Sequence, residues 1–438
     1  YQEKWGRVFS HISPEKKISA YSTKTNNMAG GLMQLVAYGA QDVYLTGNPK
    51  VTFFQAVYKR HTNFAMENIE QTVNGTATAG GRVSVTVARN GDLIADMYVE
   101  LTAKQAFDKT EDAWVAESAI STVELSIGGQ RIDKHYQKWW RLYAELYMDE
   151  AKKLNYGKMT SATVNDEKVY LPLIFFFNRN PGLALPLIAL QYHEVRIDFD
   201  LASNFDKYLN PSTFKVWGNY IYLDTEERRR FAQKGHEYLI EQVQHTGADS
   251  LASPGSTKQI RLSYNHPVKE LVWCATEASG VTGDANQLWN FTDTAITVSS
   301  LMSADVASNV SVSPGAAGAP VLIGDVQFDE ETSGPLSSFK LVLNGQDRFK
   351  EQGGKYFNTV QPFVHHSASP MAGIYSYSFA LKPEEHQPTG TCNFSRIDNA
   401  QVSIAVKSDS DKTTLNMFAT NYNVLRIQSG MGGLAFSN

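Results

Sequence analysis

Arg82-Val83-Ser84-Val85-Thr86-Val87-Ala88-Arg89 alternates apolar with polar residues at period two. In an extended chain that spacing puts the three valines on one face and the hydroxyls on the other, the mark of a strand half in a core and half in water. Asn90-Gly91-Asp92 follows as a turn, and residues 97–101 and 123–127 repeat the strand character before Gly128-Gly129, where glycine enters positive φ without a Cβ clash. Many short strands punctuated by Gly and Asn argue for a sandwich or barrel.

Composition agrees. The 438 residues suffice for two or three domains, and 21 Tyr with 22 Phe lean toward strand-rich structure. A net charge of -5 gives no basic footprint for a nucleic-acid backbone, so no direct nucleic-acid contact is expected. Cys274 and Cys392 lie 118 residues apart without metal-ligand spacing and read as two buried free thiols. The longest apolar runs, residues 171–177 and 183–190, fall short of the roughly 20 residues a membrane helix needs. The polar, mixed-charge N-terminus does not read as a signal peptide.

Two stretches break the strand pattern. Trp139-Trp140-Arg141-Leu142-Tyr143-Ala144-Glu145-Leu146-Tyr147 reads as a short amphipathic helix. Residues 224–236 open on Asp224 as a helix cap, place Glu226 and Glu227 before Arg228-Arg229-Arg230, and read as a charged connector. A phosphate or partner site is the alternative for the three arginines.

The two halves resemble each other in the same order. Ile69-Glu70-Gln71 recurs as Ile240-Glu241-Gln242. The strand after Asn90, ending Tyr98-Val99-Glu100-Leu101, matches the one after Asn265, ending Val272-Trp273-Cys274-Ala275. Glu124-Leu125-Ser126-Ile127-Gly128-Gly129 matches Lys340-Leu341-Val342-Leu343-Asn344-Gly345, and Val195-Arg196-Ile197 falls opposite Val402-Ser403-Ile404. Four ordered matches predict an internal duplication, with extra loop in the second half around residues 278–335. The expected division is an N-terminal arm over 1–49, a first β domain over 50–223, a linker over 224–236 and a second β domain over 237–438. Residues 1–27 read as tail, and the small apolar run from Gly30 to Gly39 fits docking against a partner or the domain base.

Beside these patterns, Tyr38-Gly39-Ala40-Gln41-Asp42-Val43-Tyr44-Leu45-Thr46-Gly47-Asn48-Pro49 and Tyr58-Lys59-Arg60-His61-Thr62-Asn63-Phe64-Ala65 closely resemble the opening of major capsid proteins of nucleocytoplasmic large DNA viruses, nearest the chlorella-virus (phycodnavirus) type. The likeness continues through Pro181-Gly182-Leu183-Ala184-Leu185-Pro186, Asn344-Gly345-Gln346-Asp347-Arg348-Phe349 and Thr391-Cys392-Asn393-Phe394-Ser395-Arg396 to Ser429-Gly430-Met431-Gly432-Gly433. It implies an all-β chain of two tandem eight-stranded jelly rolls with short helical insertions. It further implies a homotrimer forming a pseudo-hexagonal capsomer, which contacts neighbouring capsomers and minor capsid proteins. By the same resemblance, an icosahedral shell is expected to face an internal viral membrane without spanning it, in virions assembled in the host cytoplasm. A minor or vertex capsid paralogue and, from another class, a carbohydrate-binding jelly roll are the rival readings.

Catalytic patterns are weak, and no enzyme activity, cofactor or metal is expected. His193-Glu194, in a strand-like run, lacks a second histidine at helical spacing. Gly430-Met431-Gly432-Gly433 reads as a strand end, and Asp92 with Asp96 offers too few oxygens for Ca²⁺. Among four Asn-X-Ser/Thr sites, Asn290 and Asn309 are the candidate glycan carriers, whereas Asn74 and Asn393 sit beside strands and read as turn residues. Phe53, Phe54, Tyr58, Trp139, Trp140 and Phe175 to Phe177 are candidates for core or, failing that, intersubunit packing.

Overall fold

Two hairpins of like geometry, 216 residues apart, show how the chain is organised. Gly128 and Gly129 have φ of 58° and 81°, and Asn344 and Gly345 have φ of 50° and 79°. A two-residue hairpin whose twist matches its strands needs positive φ at both positions, which selects Gly-Gly and Asn-Gly. At Gly128 the demand is also steric, because a Cβ there would lie 2.3 Å from the His193 ring.

The computed structural model describes residues 30–104, 114–162, 164–276, 291–293 and 334–436. Thr62–Asn438 forms one compact unit, and the residues up to His61 form another. In the larger unit the first set of strands is β1 (Phe64–Gln71), β2 (Arg82–Thr86), β3 (Leu93–Ala103), β4 (Ile120–Ile127), β5 (Gln130–Tyr136), β6 (Lys168–Pro172), β7 (Val195–Leu201) and β8 (Leu209–Leu223). The second set is β9 (His236–Ser250), β10 (Thr257–Leu262), β11 (Pro267–Thr276), β12 (Leu336–Leu343), β13 (Gln346–Asp347), β14 (Ile374–Ser378), β15 (Ala400–Val406) and β16 (Thr414–Gln428). A last strand, β17 (Met431–Leu434), folds back on β16.

Apart from three two-residue strands that pair at their margins, Val73–Asn74 on β2, Leu185–Pro186 on β3 and Cys392–Asn393 on β11, the first set forms sheets in the order β1-β8-β3-β6 and β2-β7-β4-β5, and the second forms β9-β16-β11-β14 and β10-β15-β12-β13. Adding eight to each number of the first pair gives the second. Each half is therefore an eight-stranded jelly roll, two antiparallel sheets closed face to face over a core. All four sequence matches fall on equivalent strands: β1 with β9, β3 with β11, β4 with β12, and β7 with β15.

In β2 the valines of the opening stretch point inward, with Val83 and Val85 buried and Arg82 exposed. They meet Val99, Leu101, Val123, Leu125 and Phe199 from both sheets of the first roll. Trp139, Trp140, Phe175, Phe176 and Phe177 belong to the same core, at 1% exposure or less. In the second roll Trp273 stacks on Phe339 with centroids 4.2 Å apart.

Helices α3 (Gln137–Tyr147) and α4 (Glu150–Thr160) fill the connection from β5 to β6, after two short arm helices, α1 (Gly30–Val36) and α2 (Val43–Thr46). The sequence shows α3 by its apolar stripe, but α4 has no such stripe. It is started by Asp149, whose carboxylate accepts from the Lys152 N–H at 2.8 Å. Helix α5 (Phe176–Arg179) follows β6, α6 (Thr225–Gln233) joins the two rolls, and α7 (Gln361–His365) lies between β13 and β14.

Some expectations change. Among the described residues strand structure begins at Phe64, and residues 47–63 carry neither helix nor strand. Phe53, Phe54 and Tyr58 are 92%, 98% and 91% exposed, so the core reading fails for these three rings. Aromatic residues promise burial only where a neighbouring strand or sheet face covers them. Cys274 is buried as expected, but Cys392 is half-buried, at the short strand Cys392–Asn393 paired at the end of β11.

Candidate functional site: the seam between the jelly rolls

Strand β11 buries nearly every residue, although a sheet facing one core should alternate. The reason is that it serves two cores. Leu271 and Trp273 pack into the second roll, while Val272 and Cys274 join the cluster that fills the first roll. Strand β16 divides the same way, Met417 and Ala419 to one side, Phe418 to the other. A single apolar cluster thus runs through the first roll and across the seam. On the first-roll side α3 and the end of β5 supply the cover: Trp139 of α3 lies 5.6 Å from Phe418 and Tyr136 of β5 4.8 Å from His245, ring centre to ring centre.

Charges are buried in the same seam. Glu241 of β9 receives Arg179 Nη1 at 3.0 Å and Lys269 Nζ at 2.7 Å on one oxygen, and His386 Nδ1 lies 3.6 Å from the other. Arg179 is carried on α5, whose first turn is tied by Asn178 donating to the Ala95 carbonyl at 2.7 Å. Burial pushes the Glu241 carboxyl up, but Arg179 and Lys269 outweigh it and hold it at about 2. Lys269 is lowered by its own burial, partly offset by Glu241, and also donates to the Pro383 carbonyl at 2.7 Å.

Beside it in the same strand, Glu270 accepts from the Tyr147 hydroxyl of α3 and pairs with His366 Nε2, both at 2.5 Å. Burial works against a charged His366, yet Glu270 and then Glu384 raise its pKa to about 9. Tyr147 and the ions around Glu241 border a cavity of about 270 Å³, whose lining includes Tyr143, Arg179, Lys269, Glu384 and His386. Each buried charge there has an opposite partner, the condition under which burial is tolerable.

Further contacts extend the seam. Lys153 of α4 donates to the Ser369 carbonyl at 2.7 Å, the Met371 N–H donates to Glu145 at 3.3 Å, and the Val243 N–H donates to Asp133 at 3.1 Å. Within the first roll, Arg141 stacks on Trp114 with its guanidinium carbon 3.8 Å from the ring centre. The arrangement holds two rolls as one body. Among the described residues no His, Cys, Asp and Glu group has the layout of a metal centre.

Residues singled out by sequence serve architecture. His193 lies in the loop before β7 rather than in a strand, and its Nδ1 faces the Gly432 carbonyl at 2.8 Å, docking β17 on the first roll. The Gly430–Gly433 stretch is the turn and strand of that dock. Asp92 is buried, accepting from the Leu223 N–H at 2.9 Å and pairing with Arg228 of α6 at 3.0 Å. One arginine of the triplet therefore ties the connector to the first roll. Asp224 stands at the α6 N-cap without a side-chain cap bond. Asn393 accepts from the Ser395 N–H at 3.1 Å, serving a turn, and Asn74 is exposed at the end of a short strand. Asn290 and Asn309 lie outside the described residues, as do residues 1–27 and most of 278–335.

The buried ions were not legible as a site. Val268-Lys269-Glu270-Leu271-Val272, a Lys-Glu pair inside an apolar strand, was the available signal.

Family models match nearly the whole of both rolls: the major capsid protein N-terminus over residues 52–224, and the large eukaryotic DNA virus major capsid protein over residues 227–433. The chain belongs to that capsid protein family. It is 46% identical to the major capsid protein of Paramecium bursaria Chlorella virus 1, covering 94% of this chain and all of the relative. It is 40% identical to that of Phaeocystis pouchetii virus over the same shares. Among solved structures, the quasi-atomic model of the PBCV-1 virus capsid superposes with a TM-score of 0.74 at 42% identity, covering 88% of this chain and all of that one. The Faustovirus major capsid protein keeps the fold at 13% identity, with a TM-score of 0.67. Two tandem jelly rolls are thus the architecture of this capsid family.

Proposed function

We propose that the chain is the major structural subunit of an icosahedral large double-stranded DNA virus, assembling as a homotrimeric, pseudo-hexagonal capsomer. The observation that carries this reading is the seam: two rolls of identical strand order held as one body by a shared apolar cluster and a balanced ion cluster. Three such bodies around an axis present six similar rolls, a nearly hexagonal tile. Its work is assembly rather than catalysis. Large apolar contacts within a capsomer, and smaller polar contacts between capsomers and to minor capsid proteins, suit a shell that corrects errors as it grows.

The proposed division is an arm up to His61, a first roll from Thr62 to Leu223, a connector carrying α6, and a second roll from His236. The tiles stand over an internal membrane without crossing it, and assembly takes place in the host cytoplasm. Asn290 and Asn309 are proposed glycan carriers, to be tested by glycopeptide mass spectrometry of virions.

Light scattering of the purified chain tests the oligomer. Three chain masses support the capsomer, whereas a monomer or a pentamer overturns it. A dominant copy number in purified virions separates the major subunit from a minor or vertex paralogue.

A further inference from the structure

The stretch from Gly30 to His61 combines features that do not belong together in a solvated tail. It carries one acid and three bases in 32 residues, too little charge for a disordered segment, and is rich in large apolar side chains. Leu45, Phe53, Phe54 and Tyr58 are exposed in the single chain. Rings and aliphatic chains of this number, if covered, match the roughly 800 Å² that each partner buries in a stable protein interface.

Charge points to the partner. Up to His61 the sequence has eight lysines and arginines against three acids, so the net charge of -5 divides into +5 there and -10 beyond. The body also offers a landing place. Strand β1 ends its sheet, pairing with β8 on one side. It exposes Phe64 and Met66 beside two exposed acids, Glu67, which accepts from the Tyr222 hydroxyl at 3.1 Å, and Glu70, which pairs with Lys215 at 3.2 Å. A strand edge of this kind supplies backbone hydrogen bonds as well as apolar and acidic contacts. A lipid surface supplies none to the backbone of residues 47–63, which carries neither helix nor strand.

We infer that the basic, apolar arm of one copy docks on the acidic body of a neighbouring copy, along the edge of β1. Each copy gives one arm and receives one, so a closed ring leaves no arm over. The inference rests on the homo-oligomer proposed above and names the segment that holds it together.

The test places a photoreactive side chain at position 54 of the full chain and assembles isotopically light with heavy copies. Light-to-heavy cross-links ending near β1 are expected. Phe53→Ser with Phe54→Ser should raise the oligomer's dissociation constant at least about tenfold, since buried aromatics dominate interface energetics. Lys59→Glu with Arg60→Glu should raise it several-fold, less so at high salt.

Cross-links confined to single copies overturn the inference, as does arm-dependent capture by phosphatidylserine vesicles without light-to-heavy links. Should the serine variant fail to fold, the cross-link result in the otherwise native chain decides. If the unsubstituted chain is a monomer, the oligomer itself fails. If it is a trimer and both variants remain equally tight trimers, only the role of the arm fails.

Discussion

Strands β3 and β11 hold the same place in their respective rolls and differ in what covers them. β3 leaves Asp96 exposed and Tyr98 and Thr102 half-buried, although Ile94 and Glu100, which alternate with them, are buried. β11 is buried along both faces, because α3 and the first roll's core cover the side that β3 leaves partly open. Repeated strand order therefore does not carry a repeated role for each strand. The seam is built from unlike parts: helices from the first roll against a sheet and its buried ions from the second.

The largest effect is expected of Trp139→Ala. Removing a fully buried ring at the seam should cost about 3–5 kcal/mol. Calorimetry should then show the two rolls melting in separate transitions. Tyr98→Ala, half-buried on β3, should cost well under half of that; equal losses with a single transition in both would show that the seam has no special part.

Glu241→Gln comes next. It leaves Arg179 and Lys269 buried without their shared anion, a loss of about 3 kcal/mol by denaturant unfolding. The seam's buried ions make stability depend on pH. With its pKa raised to about 9 from the ordinary 6.5, His366 contributes stability that is full below about 6.5 and lost as pH rises through about 9. That contribution is at most about 3 kcal/mol. Glu241, held at about 2, contributes stability that is present above about 4.5 and lost as pH falls toward 2. His366→Gln should flatten the alkaline limb of a melting-temperature profile and leave the acid limb in place.

Gly128→Ala, whose Cβ would meet the His193 ring, should destabilise more than Gly129→Ala, where nothing lies within 4 Å and only backbone strain of about 1–2 kcal/mol is added. The smallest effect belongs to Arg228→Ala. Its side chain is 62% exposed, so loss of the Asp92 pair should cost no more than about 1 kcal/mol.

The strands of both rolls were legible because period-two alternation and Gly or Asn turns are local signals, and the duplication was legible because hairpins such as Gly128-Gly129 demand particular residues. The arm's aromatics misled, since apolar character says that a side chain needs cover without saying which chain provides it. The seam was hidden for a different reason. Arg179, Glu241, Lys269 and His366 come from four distant segments, and nothing local to any of them marks the others as partners.

The division of β11 and β16 between two cores has a consequence for descent. A duplicated piece begins as an interchangeable copy, free to be lost, swapped or repeated again. With alternate side chains of one strand committed to the neighbouring roll's interior, neither half can stand in for the other, and the pair is exchanged or lost only as a whole.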